Sequence, residues 1–289
     1  MAKSPSHKFG QMVGELLEDI MTDKFQAFCD ARGLYLDKKG PRGRVRKGKK
    51  VSWEDNFGNK HDLDFVIEKG GDVNIQGRPL AFIEAAWRRY TKHSRNKAQE
   101  IQGAILPIAD KYQTDKPFLG VILAGEFTRG SLSQMESSGF KVALFPYKSI
   151  LNAFKSLRIN AAFDERTPDR EFKKVVTQIK NLNIAQRTQL KQSLLQSNKR
   201  LLDKFFSKLA AVIDRNIEKV IVIPLHGHQN EFATIGEAVS FVNGYHEEGS
   251  RDGGFRKYEI IVRYNNGDKI DASFREKQGV VDFLRYIAG

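Results

Sequence analysis

Three acidic residues, Asp62, Asp64 and Glu84, lie where the sequence predicts neighbouring strands. Asp62 and Asp64 are two residues apart at the start of one predicted strand, so their side chains share a face. Glu84 interrupts the apolar run LAFIEAAW in the next strand, where an unpaired carboxylate is costly to bury. Carboxylates brought together on neighbouring strands repel each other unless a hard cation such as Mg²⁺ binds their oxygens. The pattern therefore predicts a Mg²⁺ site built on two strands.

Basic residues follow directly after Glu84. Between positions 88 and 97 they are Arg88, Arg89, Lys92, His93, Arg95 and Lys97. Carboxylates beside basic side chains are typical of phosphodiester hydrolysis, in which a metal activates water and Lys or Arg stabilises the charge of the transition state. The alternative for Glu84 is a structural ion pair with Arg88 or Arg89.

A helix, two strands and a second helix must position these residues. Apolar residues at near-helical spacing predict a first helix over residues 8–33, and Ser94 is a favourable N-cap for a helix over residues 94–112. Two runs rich in apolar and β-branched residues, 61–71 and 78–90, predict an adjacent pair of strands. Further elements are predicted at 51–57 (strand), 117–124 (strand), 131–138 (helix) and 142–147 (strand). This order predicts an α/β domain with a mixed sheet.

In order and spacing, these elements resemble the PD-(D/E)XK nuclease superfamily, to which many type II restriction endonucleases belong. The resemblance covers about residues 8–147 and implies a restriction-endonuclease-like mixed β-sheet flanked by helices. It also implies that Asp64 and Glu84 hold Mg²⁺ with the backbone carbonyl of Ala85, and that Glu15 approaches from the first helix as a supplementary ligand. The alternative for Glu15 is a solvated residue on the helix surface.

One position departs from the family pattern. The superfamily carries a lysine two residues after the glutamate, whereas this sequence has Ala86. Some members place the lysine on the neighbouring helix instead, so Lys97 and Lys92 are the candidate catalytic lysines. If neither of them reaches the site, the resemblance implies a DNA-binding protein that has lost the cleavage activity.

The overall charge favours a nucleic-acid partner. The chain has 48 Lys and Arg against 35 Asp and Glu, a net charge of +13, and such an excess attracts polyanions. The stretch 38–50 holds eight Lys or Arg and no acid, which predicts a mobile basic loop or an extended turn that contacts phosphates. A solvated surface loop is the alternative. The predicted DNA-contacting residues are Lys38, Lys39, Arg42, Arg44, Arg46, Lys47, Lys49 and Lys50 in this stretch, Arg88, Arg89 and Arg95 after Glu84, and Arg251, Arg256 and Lys257 near the C-terminus.

Three parts of the chain are predicted. Residues 1–160 form the nuclease-like domain, and residues 161–217 form a helical linker or dimerisation segment of two helices that break near Asn181. Residues 218–289 form a small α+β module suited to DNA recognition, with a β-hairpin turn at 265–267. In this module His226 and His228 follow a strand, and without nearby Cys or carboxylate partners they are interpreted as loop or recognition residues.

Composition narrows the class of protein. The single cysteine, Cys29, excludes a disulfide scaffold, and no run of about 18 apolar residues predicts a transmembrane helix. With no secretory signal read at the start, we expect a cytoplasmic protein of a prokaryotic cell with no membrane partner. The leading hypothesis is a Mg²⁺-dependent type II restriction endonuclease that cuts double-stranded DNA as a homodimer. The alternatives are a non-catalytic DNA-binding protein on a degenerate nuclease scaffold and a repair or recombination nuclease.

Overall fold

The computed structural model describes residues 4–164, 166–225, 228–247 and 255–288. The chain divides into two compact units, Met1–Gln113 with Pro117–Leu209, and Thr114–Lys116 with Ala210–Gly289. No helix in the described ranges is long and apolar enough to cross a membrane.

The first unit contains a helix, five strands, a helix and then alternating strands and helices. In chain order these are α1 (Pro5–Asp30), β1 (Tyr35–Lys38), β2 (Val51–Glu54), β3 (Lys60–Leu63), β4 (Phe65–Lys69), β5 (Arg78–Arg88), a 3₁₀ turn (Thr91–His93), α2 (Ser94–Lys111), β6 (Phe118–Gly125), α3 (Arg129–Ser137), β7 (Lys141–Pro146), α4 (Tyr147–Ser156), α5 (Asp169–Lys180), α6 (Ile184–Ser197) and α7 (Lys199–Ile213), the end of which passes into the second unit. Each strand and helix predicted up to residue 147 has a counterpart here, although the strand predicted over 61–71 is divided into β3 and β4, and β1 and α4 were not predicted.

Five strands of this unit form a mixed sheet in the order β1-β4-β5-β6-β7, and β2 and β3 form a separate hairpin. Neighbours β1, β4 and β5 run antiparallel, whereas β5, β6 and β7 run parallel. The parallel strands are joined by helices, as parallel crossovers require. The predicted mixed sheet flanked by helices is therefore confirmed.

Helix α1 begins earlier than the apolar pattern predicted. The side chain of Ser4 caps it by accepting a hydrogen bond from the His7 amide at 3.3 Å, and Pro5 occupies its first turn. Its buried residues recur every three or four positions: Phe9, Val13, Leu17, Ile20, Met21 and Phe25. Phe25 packs against Phe65 of β4 with ring centroids 5.2 Å apart, so this apolar side of α1 lies on the sheet.

Helix α2 covers the opposite face of the sheet. Its residues Ala98 and Ile101 belong to one buried cluster with Phe82 and Ala86 of β5. Side chains alternate along a strand, so Glu84, which lies between Phe82 and Ala86, belongs to the face that α2 covers. The start of α2 is thereby placed beside Glu84.

The helical segment after residue 160 differs from its prediction. It consists of three helices rather than two, because the chain breaks again at Asn198, whose side-chain amide donates to the carbonyl of Leu194 at 2.8 Å. Helix α5 packs on α1 through Phe172, and α7 packs on α1 through Phe206, whose ring lies 5.4 Å from that of Phe25. Residues up to Leu209 therefore belong to the first unit and do not form a linker of their own.

The second unit is a four-stranded antiparallel sheet with two helices. Its elements are β8 (Ile217–Pro224), β9 (Asn230–Phe232), α8 (Ile235–Gly244), β10 (Tyr258–Tyr264), β11 (Lys269–Phe274) and α9 (Lys277–Ala288), in the sheet order β11-β10-β8-β9. The predicted turn at 265–267 joins β10 to β11, with Gly267 at a φ of +87°. Strand β9 was not predicted because it is only three residues long.

Candidate active site

The sheet brings Asp64 and Glu84 together. Asp64 lies between β3 and β4, and the antiparallel register pairs Phe65 with Ile83. Continued by one residue, this register places Asp64 opposite Glu84. The Ala85 amide donates to Asp64 Oδ2 at 2.7 Å, which fixes the aspartate against β5.

Burial makes both carboxylates hard to ionise. Desolvation, followed by the negative charge of Asp64, raises the pKa of Glu84 to about 8, and the charge of Lys97 opposes this rise. Desolvation likewise raises the pKa of Asp64 to about 6, against the stabilising hydrogen bond from Ala85. Two such carboxyl groups side by side must either remain protonated or have a positive charge nearby that stabilises their ionised forms.

Lys97 supplies positive charge at Glu84. It lies in the first turn of α2, and its Nζ is 3.4 Å from Glu84 Oε1 and 3.4 Å from Glu100 Oε2. Of the two candidate lysines, the structure brings Lys97 to the carboxylates, whereas the Nζ of Lys92 lies 5.4 Å from the ring centre of Tyr90. The family resemblance predicts a lysine beside Glu84 at position 86. Lys97 of α2 lies beside Glu84 instead.

The acidic residue of α1 that acts on the pair is Glu18. Its negative charge raises the pKa of both Asp64 and Glu84, and its carboxylate lies 3.6 Å from Lys39 Nζ. Glu15, one turn earlier, is exposed and accepts a hydrogen bond from Gln11 at 3.1 Å. Glu15 was predicted from the sequence and Glu18 was not. Glu15 and Glu18 are three residues apart on one face of α1, so the sequence alone does not distinguish them.

Residues around the Asp64–Glu84 pair border one open cleft with a volume of about 740 Å³. Glu15, Glu18, Lys39, Ala86, Arg88 and Lys97 are among its lining residues. Gly14 also lines it and has no atoms within 4 Å of where a Cβ would lie, so the α1 wall is open there. Asp64 and Glu84 are not among the lining residues, but Ala85 and Lys97, which contact Asp64 and Glu84, are, so the cleft lies beside the pair.

The donor set of the pair is compatible with Mg²⁺. Among the described residues no group of three or more His, Cys, Asp or Glu side chains is arranged to hold a metal ion. Mg²⁺ is usually bound through only one or two carboxylates and keeps several waters. Asp64 and Glu84, buried and repelling each other, meet that requirement, with the carbonyl of Ala85 as the further candidate ligand. Asp62 lies outside this set because it bonds to Lys50 and to Ser52 at 2.7 Å.

Arg42 is a correction to the predicted DNA contacts. Its side chain is 1% exposed, and its guanidinium contacts Asp37 at 3.0 Å and donates to Glu68 Oε2 at 2.9 Å. A guanidinium enclosed in this way cannot reach a phosphate, so the prediction for Arg42 is wrong. Its donors also bind the carbonyls of Asp72 and Ile75, which anchors the basic segment to the loop after β4.

The rest of the basic segment divides into anchored and exposed cations. Arg46 bonds to Asp37 at 2.7 Å, and Lys38 donates to Gln26 at 2.8 Å. Of the two predicted forms, a mobile loop and an extended turn, the structure has the turn, closed by a hydrogen bond from the Gly40 amide to the Lys49 carbonyl at 2.8 Å. The exposed cations are Lys39, Arg44, Lys47, Lys49 and Lys50.

The remaining predicted contacts lie in several places. Arg88 lies in the cleft, 3.6 Å from Glu100, and Arg89 is stacked between aromatic rings. Arg95 is exposed in the first turn of α2. Arg256 and Lys257 belong to the second unit, where Lys257 pairs with Glu259 at 2.7 Å and the exposed His228 is also found. Arg251 and His226 lie outside the described residues.

Comparisons with known proteins add little. No family model matches the chain, and no curated protein matches it. Among solved structures, the chain is similar to a crystal structure described as a protein of unknown function, AF1548, with 12% identity and a TM-score of 0.27. The match covers 68% of this chain and 98% of the other. A likeness at this level supports no argument about fold or function.

Proposed function

We propose that this protein is a metal-dependent deoxyribonuclease whose active site is the cleft at Asp64 and Glu84. The observation that carries the proposal is the half-buried carboxylate pair, in which Asp64 lies opposite Glu84 of β5 in the continued register and Lys97 Nζ is 3.4 Å from Glu84. Two adjacent buried carboxylates without a cation are costly. A divalent ion and a phosphodiester would together supply the charges that this arrangement lacks.

The residues of the cleft have distinct roles in this proposal. Asp64, Glu84 and the Ala85 carbonyl would hold Mg²⁺, which when bound supplies a Lewis acid and lowers the pKa of water. Lys97 would exchange its contact with Glu84 for the phosphate oxygens and stabilise the negative charge that develops on them. Lys39 and Arg88 would position the strand through its phosphates.

A restriction-endonuclease-like fold is part of the proposal. The supporting features are the order helix, antiparallel strand pair, helix and parallel strands, with the carboxylates on the paired strands. Cleavage of double-stranded DNA at a specific sequence, as a homodimer, is the activity that the superfamily resemblance suggests. In this proposal Lys97 of α2, which contacts Glu84, would take the role of the lysine missing at Ala86.

One observation favours a second candidate, a DNA-binding protein without cleavage activity. Lys97 is already paired with two carboxylates, Glu84 and Glu100. A lysine held in this way can serve to neutralise the site without taking part in hydrolysis. This candidate predicts salt-sensitive DNA binding with no Mg²⁺-dependent nicking.

The decisive experiment is cleavage of supercoiled plasmid in Mg²⁺ by the wild type and three variants. We expect Asp64→Asn and Glu84→Gln to lower the cleavage rate by at least about 100-fold, while DNA binding measured by anisotropy in EDTA is retained. Asp62→Asn is the matched control, because Asp62 is a neighbouring acid bonded outside the pair, and it should cut like the wild type. Full activity in both site variants would refute the assignment.

The same assay separates the remaining alternatives. Discrete bands from phage DNA indicate a sequence-specific enzyme, whereas preferential digestion of single-stranded or linear DNA indicates a repair or recombination nuclease. A wild type that binds DNA but leaves plasmid, linear and single-stranded DNA intact supports the non-catalytic candidate.

A further inference from the structure

Arg89 and Tyr90 leave buried polar atoms unsatisfied at the edge of the cleft. The Nε and Nη1 atoms of Arg89 and the hydroxyl of Tyr90 are buried without a hydrogen-bond partner among the described residues. Buried donors without acceptors are destabilising, and in native proteins they are rare enough to require an explanation. A missing anionic ligand is one such explanation.

Two aromatic rings hold the guanidinium in place. Its central carbon lies 4.2 Å from the ring centre of Tyr90 and 4.6 Å from that of Phe172, which is itself buried. Stacking on these rings restricts the orientation of the guanidinium plane. Both Arg89 and Tyr90 line the cleft, so a ligand in the cleft can approach them.

The amino-terminal turn of α1 lines the same cleft through Ser4, Ser6 and His7. This turn contains no acidic residue. The His7 and Lys8 amides already bond to Ser4 and Pro5 has no amide hydrogen, so the Ser6 amide and the partial positive charge of the helix start are what this turn offers an anion. A half-buried arginine and a helix amino terminus thus border one cavity.

We propose that Arg89, Tyr90 and the first turn of α1 form a phosphate-binding site for a nucleic-acid strand, separate from the Asp64–Glu84 pair. The proposal rests on the proposed function for the nature of the ligand, since a guanidinium edge is a preferred partner of phosphate. Arg89 lies five residues after Glu84, roughly 16 Å at strand spacing. The site therefore binds a phosphate several nucleotides from the one being cleaved.

The first test uses inorganic phosphate and does not depend on cleavage. In EDTA, with chloride at equal ionic strength as reference, phosphate at about 100 times its Kd should raise the Tm of the wild type by about 5 °C. Arg89→Met should abolish the shift and Tyr90→Phe should reduce it. Arg129→Met, which changes an exposed arginine outside the cleft, should keep it. An equal shift in all four proteins, or none in the wild type, would overturn the proposal.

Loss of Arg89 could also impair folding. Circular dichroism of Arg89→Met therefore accompanies the measurement. If that variant does not fold, the phosphate-dependent Tm shift of Tyr90→Phe, which removes only one buried hydroxyl, tests the site instead. A reduced phosphate shift in it supports the site, and an unchanged shift contradicts it.

The second test identifies which phosphate is bound. Duplexes with a 5′-phosphate, a 3′-phosphate or only hydroxyl ends are titrated by anisotropy in EDTA. A loss of affinity in Arg89→Lys confined to one phosphorylated end, by about tenfold, assigns a terminal phosphomonoester. An equal loss for all three duplexes assigns an internal phosphodiester, and no loss with any of them contradicts the site. If cleavage requires Glu84 but phosphate does not raise the Tm, the phosphate site is rejected and the proposed nuclease function stands. If phosphate raises the Tm but no DNA is cleaved, the nuclease function is rejected and the phosphate site stands.

Discussion

At the residue scale, the central feature is a pair of carboxylates that the fold keeps out of water. The pKa of Glu84 is raised to about 8 and that of Asp64 to about 6, chiefly by burial. A metal ion stabilises the ionised form of a surface carboxylate less than that of this pair, because water already stabilises the charge of a surface group. Burial also raises the pKa of Glu68, but that carboxylate is paired with Arg42, whereas Asp64 and Glu84 lie against each other.

This pair makes the stability of the metal-free protein depend on pH. A carboxyl group with a raised pKa in the folded state stabilises the protein fully below its pKa in the unfolded state, and this contribution is lost as the pH rises through the folded pKa. For Glu84 the window runs from its ordinary 4.5 to about 8. In EDTA we expect the Tm of the wild type to fall across that window, and Glu84→Gln to flatten the curve.

The control for this pH experiment is Glu136→Gln, which changes an exposed glutamate on α3. It should follow the wild-type Tm curve at every pH. Parallel curves for the wild type and Glu84→Gln would show that Glu84 ionises normally and would remove the electrostatic support for a cation site.

At the scale of elements, Arg42 connects the basic segment to the strand pair that carries the site. It contacts Asp37 of β1 and Glu68 of β4, two carboxylates that are 2% and 0% exposed. Glycine at position 43 is needed for this packing, because a Cβ there would lie 2.1 Å from the carbonyl oxygen of Val73 and the φ angle is +36°. The part of the basic segment around Arg42 and Gly43 is therefore folded into the first unit.

Removing Arg42 should destabilise the protein strongly. Arg42→Ala leaves the buried Glu68 without its cation and Asp37 with Arg46 alone, and we expect a loss of about 3–5 kcal/mol in the free energy of unfolding. Arg44→Ala, which changes an exposed arginine two residues away, should change it by less than about 0.5 kcal/mol. Urea denaturation measures both. Similar values for the two variants would contradict the buried ion pairs.

At the scale of the whole molecule, the net charge of +13 is less available to a ligand than its size suggests. Of the eight cations in the segment 38–50, Arg42 is buried and Arg46 is bonded to Asp37. The exposed cations remain for long-range attraction of a polyanion such as the proposed nucleic-acid ligand, which depends on the summed charge and not on single side chains.

Salt dependence tests which of these cations bind phosphates. Removing one phosphate-binding cation should lower the slope of log K against log salt concentration by about 0.9, so Lys47→Ala should reduce the slope by about that amount for any duplex sequence. Lys173→Ala changes an exposed lysine on α5 outside the basic segment and should leave the slope unchanged. Equal effects of the two substitutions would mean that the attraction is not localised in the segment.

Local patterns in the sequence were sufficient to predict the secondary structure of the site and the proximity of its carboxylates. Alternation and apolar runs depend on local spacing, so the strands around Asp64 and Glu84 were predicted, and neighbouring strands place such residues side by side. The mixed sheet followed from the order of the elements. The hairpin at 265–267 was predicted because its turn residues act locally.

Which charged side chains meet depends on the tertiary structure. Lys97 rather than Lys92 reaches Glu84, the charge of Glu18 rather than Glu15 acts on the pair, and Arg42 is buried instead of exposed. In each case the alternatives have the same chemistry and lie within a few residues of each other. The choice depends on the rotation of a helix or the packing of a turn against a distant strand. Local sequence patterns do not specify those quantities, because they arise from packing between segments far apart in the chain.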